Sequence, residues 1–444
     1  MISWGSAENI VEPLGLEYVA AGVASDHEVR ILDLQLEKGL QKVLSDFHPD
    51  VVGITACTVH VNTVKRYFQE IKVWNPQVLT VVGGHHATVM PEDFLSPHVD
   101  LIVIGEGVLS FKEIIARLEK GDSLDGIPGT AYARGDSLIK TDCPPMVDLD
   151  SLPFPDRSLT ARYRKRYFYN WMKPLALLRA SKGCPYRCKH CALWKLTDGR
   201  YLRRNPERLV EELSTIEEEF VYFVDEESMA DATEMKTLAE RIRDSEIRKR
   251  YILWVRSDSI AQNPEIVKMW RDIGLVRVFV GLESFREEDL KKVRKGSTVS
   301  DNERAVRILQ ELGIDMDACF MVRPDFTKAD FAALRQYCRS LGLKYANIPV
   351  LTPLPGTDLY EEMESQLTTH NYDHFDVLHA VLPTTLPLNE FYEEYYKLLK
   401  TAIPRTKRIA QLKRFPLREI PSVLLRFYRI ARRLKGAYLD YERD

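Results

Sequence analysis

Short apolar runs rich in β-branched residues alternate with stretches whose apolar positions recur every three or four residues, and the alternation continues over most of the chain. Between residues 12 and 130 it predicts strands over 29–34, 51–56, 79–83 and 101–105 and helices over 14–24, 36–47, 61–74 and 110–119. That order makes a parallel sheet with crossover helices. No strand precedes the helix over 14–24, which follows Glu12 and Pro13 directly, so the sheet's first strand is read as missing or degenerate.

From 126 to 174 the period fails. Pro144, Pro145, Pro153 and Pro155 break it, which predicts a linker with a small hairpin over 130–140. The linker ends in an aromatic and basic stretch from Tyr163 to Trp171, read as a packed interdomain strap in preference to a segment that touches substrate. A second α/β series follows over 175–357, with strands over 175–180, 220–224, 251–255, 276–282, 315–322 and 345–350. These βα units predict a partial (β/α)6 barrel of the TIM type, whose chemistry gathers at the carboxyl ends of its strands. Residues 358–444 read as helices with a loop around 382–387. The expected organisation is a Rossmann-like domain (1–125), a linker (126–174), the barrel (175–357) and a helical C-terminal region (358–444).

Charge narrows the function classes. Lys and Arg number 62 against 65 Asp and Glu, a net charge of -3, which gives no reason to expect nucleic acid. No apolar run reaches the roughly 20 residues of a membrane span, and the start lacks the order of a signal peptide, so a cytoplasmic protein is expected. The 7 cysteines are odd in number and thinly spread, unlike a disulfide framework, and a reducing compartment follows. Residues 404–435 depart from this balance, with Arg405, Lys407, Arg408, Lys413, Arg414, Arg418, Arg426, Arg429, Arg432, Arg433 and Lys435 against Glu419 alone. Leu412, Phe415, Leu417, Val423, Leu424 and Leu425 lie between them. Two readings fit: a terminal helix packed on the barrel with a solvated basic rim, or a helix lying peripherally on the anionic inner face of a membrane.

The chemistry concentrates in Cys184-Pro185-Tyr186-Arg187-Cys188-Lys189-His190-Cys191, directly after the first barrel strand. Three thiolates on one tight loop suit a metal centre. A fully ligated iron–sulfur cluster takes four protein ligands, and no fourth cysteine lies nearby, so one iron would stay open for a substrate or cofactor. A zinc knuckle with His190 as fourth ligand is the alternative. Cys57, Cys143, Cys319 and Cys338 are isolated and read as small apolar residues.

The C-x3-C-x2-C spacing in this position resembles the radical S-adenosylmethionine superfamily, with His190 where that family usually has an aromatic residue. The resemblance implies a [4Fe–4S] cluster on Cys184, Cys188 and Cys191 whose open iron binds S-adenosylmethionine and cleaves it to a 5′-deoxyadenosyl radical. It also implies an electron donor such as flavodoxin or ferredoxin. S-adenosylmethionine contacts are implied at His190 on the loop and further at successive strand ends: Asp225 and Glu226, Arg256, Glu283 and Ser284 in Gly281-Leu282-Glu283-Ser284, and Pro353 in Pro353-Leu354-Pro355-Gly356-Thr357.

Residues 12–125 resemble the cobalamin-binding domain that precedes many of these enzymes. The resemblance rests on Pro13-Leu14-Gly15-Leu16, on Gly53 and Thr55, on Val82-Gly83-Gly84-His85, and on Gly105-Glu106-Gly107. It implies a cobalamin cradle of Leu14, Gly15, Thr55, Thr58, Gly83, Gly84, His85, Gly105, Glu106 and Gly107, with glycines where backbone approaches the ligand closely. Asp46-Phe47-His48 echoes a cobalt-ligating D-x-H-x-x-G, but Val51 stands where glycine is required, so no histidine is expected below the cobalt. His60 and His85 remain as histidines near the corrin. The stretches from His379 to Tyr392 and from Arg323 to Thr327 are most similar to the hopanoid C-3 methylase subgroup, which implies methyl transfer to an unactivated carbon of a polycyclic lipid. A cyclase or ring-rearranging enzyme with the same cofactors is the alternative, and a non-catalytic cofactor-binding protein a second. The catalytic residue beyond the cofactors is left unassigned.

Overall fold

The computed structural model describes residues 9–142 and 146–443. Cys143, Pro144 and Pro145 lie outside the described residues. Two sheets organise the chain. The front sheet contains β1 (Val51–Thr55), β2 (Leu79–Gly83), β3 (Leu101–Val103), β4 (Thr130–Arg134) and β5 (Ser137–Lys140), in that spatial order. β1, β2 and β3 pair in parallel, and the hairpin β4–β5 continues the sheet antiparallel, so the hairpin of the linker belongs structurally to the front sheet. Phe68, Ile71 and Val82 are buried on one face, Val81, Leu101 and Ile114 on the other. A parallel sheet covered on both sides explains why its strands read as continuous apolar runs.

The strand expected over 29–34 does not form. Ile31 and Asp33 are buried there, yet the segment joins no ladder. The Ile31 carbonyl instead accepts a hydrogen bond from the Arg162 guanidinium at 2.6 Å, and the Gln35 N–H is taken by the Asp33 carboxylate at 2.9 Å. Asn9–Ile10, the first strand among the described residues, pairs antiparallel with Phe168–Tyr169 of the strap and not with the front sheet.

The second sheet is six-stranded, parallel and in sequence order: β6 (Leu175–Leu178), β7 (Phe220–Phe223), β8 (Arg250–Trp254), β9 (Leu275–Glu283), β10 (Asp315–Phe320) and β11 (Tyr345–Asn347). It is the partial barrel. Outward residues such as Phe223, Leu253, Val280 and Phe320 pack under the helices, with Trp270 edge-on to Phe223 and Tyr251. The crossover helices start at sequence-coded caps: Asn205 before Pro206–Thr215, Asp231 before Ala232–Asp244, and capping boxes at Thr298 with Asp301 and at Thr327 with Asp330.

The strap from Tyr163 to Trp171 packs across the inside of the sheet, with Tyr163, Tyr167 and Tyr169 buried. The Tyr169 hydroxyl donates to Asp317 at 2.7 Å, closing the barrel where a full ring of strands would have done so. In the C-terminal region, Leu388–Thr401 buries Phe391, Tyr392, Tyr395 and Leu398 against the barrel, and Arg405–Leu412 and Ile420–Lys435 follow. Among the described residues no helix is long and apolar enough to cross a membrane.

Candidate functional site

The cysteine loop is closed at its base by an antiparallel ladder between Ser181–Lys182 and Leu202–Arg203. Asp225, at the end of β7, braces its first residues: one carboxylate oxygen accepts from the N–H groups of Ala180 and Ser181, each at 2.8 Å. Glu226 does the same for the Gly183 N–H at 2.9 Å. Burial pushes the Asp225 carboxyl up to about 7 despite those bonds, and Glu226 is raised for the same reason. Both residues therefore position the loop.

Arg256, at the end of β8, anchors the loop from below. Its Nε and Nη2 form a bidentate pair with Asp258, each 2.9 Å, while Nη2 also donates to the Lys295 carbonyl at 2.5 Å. Nη1 stands 3.8 Å from Cys188 Sγ, and the guanidinium lies over the Tyr186 ring at 3.7 Å. Its backbone N–H donates to Glu227 at 2.7 Å. Burial opposes the charge, but the Asp258 carboxylate outweighs it and holds Arg256 firmly protonated.

Glu283 ends β9 with φ 61°, a left-handed conformation that an ordinary side chain adopts only under constraint. Its carboxylate accepts from Lys295 Nζ at 2.8 Å and lies 4.0 Å from His190 Nε2, and despite burial the lysine and His190 hold it below the usual carboxylate range. Ser284 turns aside to Asp289 at 3.1 Å. Pro353 is buried beneath the turn that ends in Thr357.

These residues fit an iron–sulfur cluster. Burial pushes the Cys184 thiol up to about 12 and Cys191 to about 11, so metal must displace their protons, and the Arg256 N–H is already aimed at the Cys188 sulfur. His190 Nδ1 is buried and has no hydrogen-bond partner among the described residues, which leaves it available to a ligand beside the loop. Among the described residues no three His, Cys, Asp or Glu groups converge as on a single ion.

Inside the barrel the inward positions of the upper strands stay open to solvent while their outward neighbours are buried: Trp254, Phe279, Gly281, Cys319 and Asn347 are half-buried between fully buried Leu253, Val280, Ala318 and Phe320. This is a chamber. Its floor is aromatic, with Tyr222 parallel to Trp254 within 1° at 6.2 Å and Trp254 against Phe279 at 3.8 Å. Asp317 stands level with Phe279 on the neighbouring strand, and Tyr169, which donates to it, lies against Tyr222 at 5.1 Å; Glu283 and His190 stand at the carboxyl end of β9.

The carboxyl edge of the front sheet faces that end of the barrel. Glu106, at the start of Gly107–Lys120, accepts from Lys182 Nζ at 2.9 Å, with Arg179 at 3.6 Å; these cations outweigh burial and keep it ionised. Gly356 of the turn after β11 meets Val89. Thr55, Cys57, His60 and His85 are exposed, yet burial raises the Cys57 thiol and lowers both histidines, so they line a recess. A Cβ at Gly15 or Gly105 would meet nothing within 4 Å, so a ligand can approach the backbone closely at both places. Gly84, with φ 101°, lies so close to Thr55 and Ala56 that a Cβ would come within 2.6 Å of Thr55 Oγ1. The cradle suits a large flat ligand held by backbone.

The other expected cradle residues have different surroundings. Gly83 lies over Val103, Gly107 packs near Val19, and Leu14 is buried against the strap. The Thr58 hydroxyl is engaged by His86 Nδ1 at 3.1 Å, in a chain that runs through Asp93 to Tyr372. His48 caps Leu40–Phe47 near Trp74 at the opposite end of β1 from the cradle. Sequence reasoning missed Lys295 and Asp258, which belong to no motif, and assigned no role to Tyr186, which lies inside the cysteine motif, or to Lys182, directly before Gly183-Cys184.

Residues 3–115 match the B12 binding domain family and residues 178–338 the radical SAM superfamily. The chain is 33% identical to the hopanoid C-3 methylase of Methylococcus capsulatus over 396 residues, 87% of this chain and 75% of the methylase. OxsB, a cobalamin-dependent S-adenosylmethionine radical enzyme solved with aqua-cobalamin and S-adenosylmethionine, shares the fold with a TM-score of 0.70 at 16% identity, over 91% of this chain and 68% of that one. TsrM, a radical S-adenosylmethionine methyltransferase from Kitasatospora setae solved with cobalamin and a [4Fe–4S] cluster, matches with a TM-score of 0.66 at 20% identity, over 80% and 76%.

Proposed function

This chain belongs to the cobalamin-binding radical S-adenosylmethionine family, and from that membership we propose that it methylates an unactivated carbon of an apolar, hopanoid-like lipid. It is an enzyme whose cofactors are a [4Fe–4S] cluster, S-adenosylmethionine and cobalamin. When bound, they supply a one-electron cleavage that yields the 5′-deoxyadenosyl radical and a cobalt centre that carries the methyl group.

The chain's own residues divide the remaining work. Cys184, Cys188 and Cys191 hold the cluster, and Asp225, Glu226 and Arg256 keep their loop in place. The paired Lys295 and Glu283, with His190, offer charged and ring contacts to S-adenosylmethionine at the mouth of the chamber. Gly15, Thr55, Gly84, His85 and Gly105 form the cobalamin cradle, which Glu106 ties to the cluster loop through Lys182.

The observation that carries the lipid reading is the stacked aromatic floor of Tyr222, Trp254 and Phe279 on the inward face of the barrel strands. A stacked aromatic surface excludes water from a reactive radical and gives its binding energy to a flat apolar skeleton. Exposed Arg187 and Arg200 on the cluster loop support docking of an acidic electron donor such as flavodoxin or ferredoxin. The basic tail supports a working position peripheral to the cytoplasmic face of the membrane, where such a lipid resides.

The test is anaerobic reconstitution with iron, sulfide and cobalamin, followed by incubation with a membrane-lipid extract and S-adenosylmethionine labelled in its methyl group. Label in a polycyclic lipid together with 5′-deoxyadenosine supports the reading. A product with unchanged carbon number would replace methyl transfer by cyclisation or rearrangement, and label in a water-soluble product would remove the lipid.

A further inference from the structure

The helix Ile420–Lys435 has two unlike faces. Val423 and Leu434 are buried and Ile430 packs on the barrel core. The opposite face leaves Leu424 and Leu425 each 48% exposed and Tyr428 63% exposed, with Leu417 in the preceding turn 86% exposed. Helical spacing sets Arg429, Arg432 and Arg433 beside these residues, where with Tyr428 they line a cavity of about 410 Å³. The carboxylate at its edge, Asp440, is already engaged by His379 Nε2 at 3.4 Å. None of the three arginines has an ion-pair partner among the described residues.

Three guanidiniums that have no ion-pair partner among the described residues, against the single lining carboxylate of Asp440, make a site for a phosphate, whose oxygens match their planar donor forks. Leucines next to that cavity would sit in the headgroup and acyl boundary of a bilayer while the phosphate is held. A nucleic acid would take the arginines and leave the leucines in water; an anionic bilayer satisfies both.

We propose that this face docks on an anionic phospholipid bilayer, with a lipid phosphate seated among Arg429, Arg432 and Arg433. The proposal adds a binding site to the reading of a membrane-resident substrate, and its test requires no substrate, so either can fail alone. A basic side chain near an anionic surface contributes about fivefold to partitioning. The reconstituted full-length enzyme is sedimented with vesicles of phosphatidylglycerol and phosphatidylethanolamine, and separately with vesicles of phosphatidylcholine.

Salt-sensitive binding to the anionic vesicles is expected. It should fall about a hundredfold in the triple variant R429Q/R432Q/R433Q and about tenfold or more in L424S/L425S, both keeping the parent's cluster content and deoxyadenosine formation. Equal binding to both vesicle types, or undiminished binding of the triple variant, overturns the proposal. So does protection of the arginines from chemical modification by inorganic phosphate without vesicle binding, or a dimer that the leucine variant dissolves.

Discussion

Lys182 Nζ lies 2.9 Å from the Glu106 carboxylate, and this contact joins the loop that carries the cysteines to the edge of the sheet that forms the cobalamin cradle. Arg179 supports the same carboxylate from 3.6 Å. Glu106→Gln keeps the shape and removes the charge, leaving two cations facing a neutral amide. Urea unfolding should show a loss of about 2 kcal/mol at unchanged slope. Hydrogen exchange over residues 103–110 should quicken, and turnover should fall more than cluster content. A variant with normal exchange in that segment would remove the clamp from the argument.

The cysteines separate cleanly by role. Cys184→Ser, Cys188→Ser and Cys191→Ser should each abolish the iron–sulfur absorption after anaerobic reconstitution and stop deoxyadenosine formation. Cys57→Ser should keep full iron, because Cys57 lies in the recess of the front sheet and not on the loop. Iron and sulfide analysis of the four proteins decides.

Gly84 is held at φ 101° and ψ −175°, a region that other residues enter at a cost of about 1–3 kcal/mol. A methyl group there would also press on Thr55 Oγ1 and, at 2.8 Å, on the Ala56 carbonyl. Gly84→Ala should therefore separate β1 from β2 at their carboxyl ends. We expect a melting temperature several degrees lower and at least tenfold weaker retention of cobalamin on gel filtration, read from its visible spectrum, with the cluster intact.

The barrel and the cysteine loop were legible in the sequence because each depends on neighbours close in the chain. Strands such as Phe220–Phe223 are unbroken apolar runs, and the capping boxes at Thr298 and Thr327 are local. The strand expected over 29–34 failed for the opposite reason: its carbonyl bonds to Arg162, 131 positions away. Lys182 and Glu106 are 76 positions apart, and Arg256 reaches Cys188 across 68. Pairings at that distance leave no local pattern, so the motif supplied the ligands of the site but not what orients them.

The chamber floor predicts uncoupling. Phe279→Leu keeps the volume nearly constant but removes the ring that lies 3.8 Å from Trp254. S-adenosylmethionine cleavage should continue, since among the described residues the side chains that hold the cluster loop are Asp225, Glu226 and Arg256 and not the Phe279 ring, while methylated product falls about fivefold, the worth of an aromatic contact of about 1 kcal/mol. The ratio of deoxyadenosine to product measures this. A ratio unchanged from the parent enzyme would place the substrate elsewhere.

The anchor of the C-terminal region should depend on pH. His379 Nδ1 meets Asp376 at 3.0 Å and Nε2 meets Asp440 at 3.4 Å; burial opposes the charged ring, but the carboxylates outweigh it and raise its affinity for a proton above the ordinary value of 6.5. A raised folded-state value means that the stabilisation is complete below 6.5 and is lost as pH rises through the folded value. Asp376 has the opposite sign: burial would raise it, but His379 holds it below the ordinary carboxylate value of 3.8, so its share is lost only in strong acid. Limited proteolysis across neutral pH should cut residues 405–436 faster on the alkaline side, while the barrel resists. His379→Gln should remove that dependence and leave the chain as susceptible at pH 6 as the parent is at pH 9, because an amide side chain cannot carry the proton that both aspartates require.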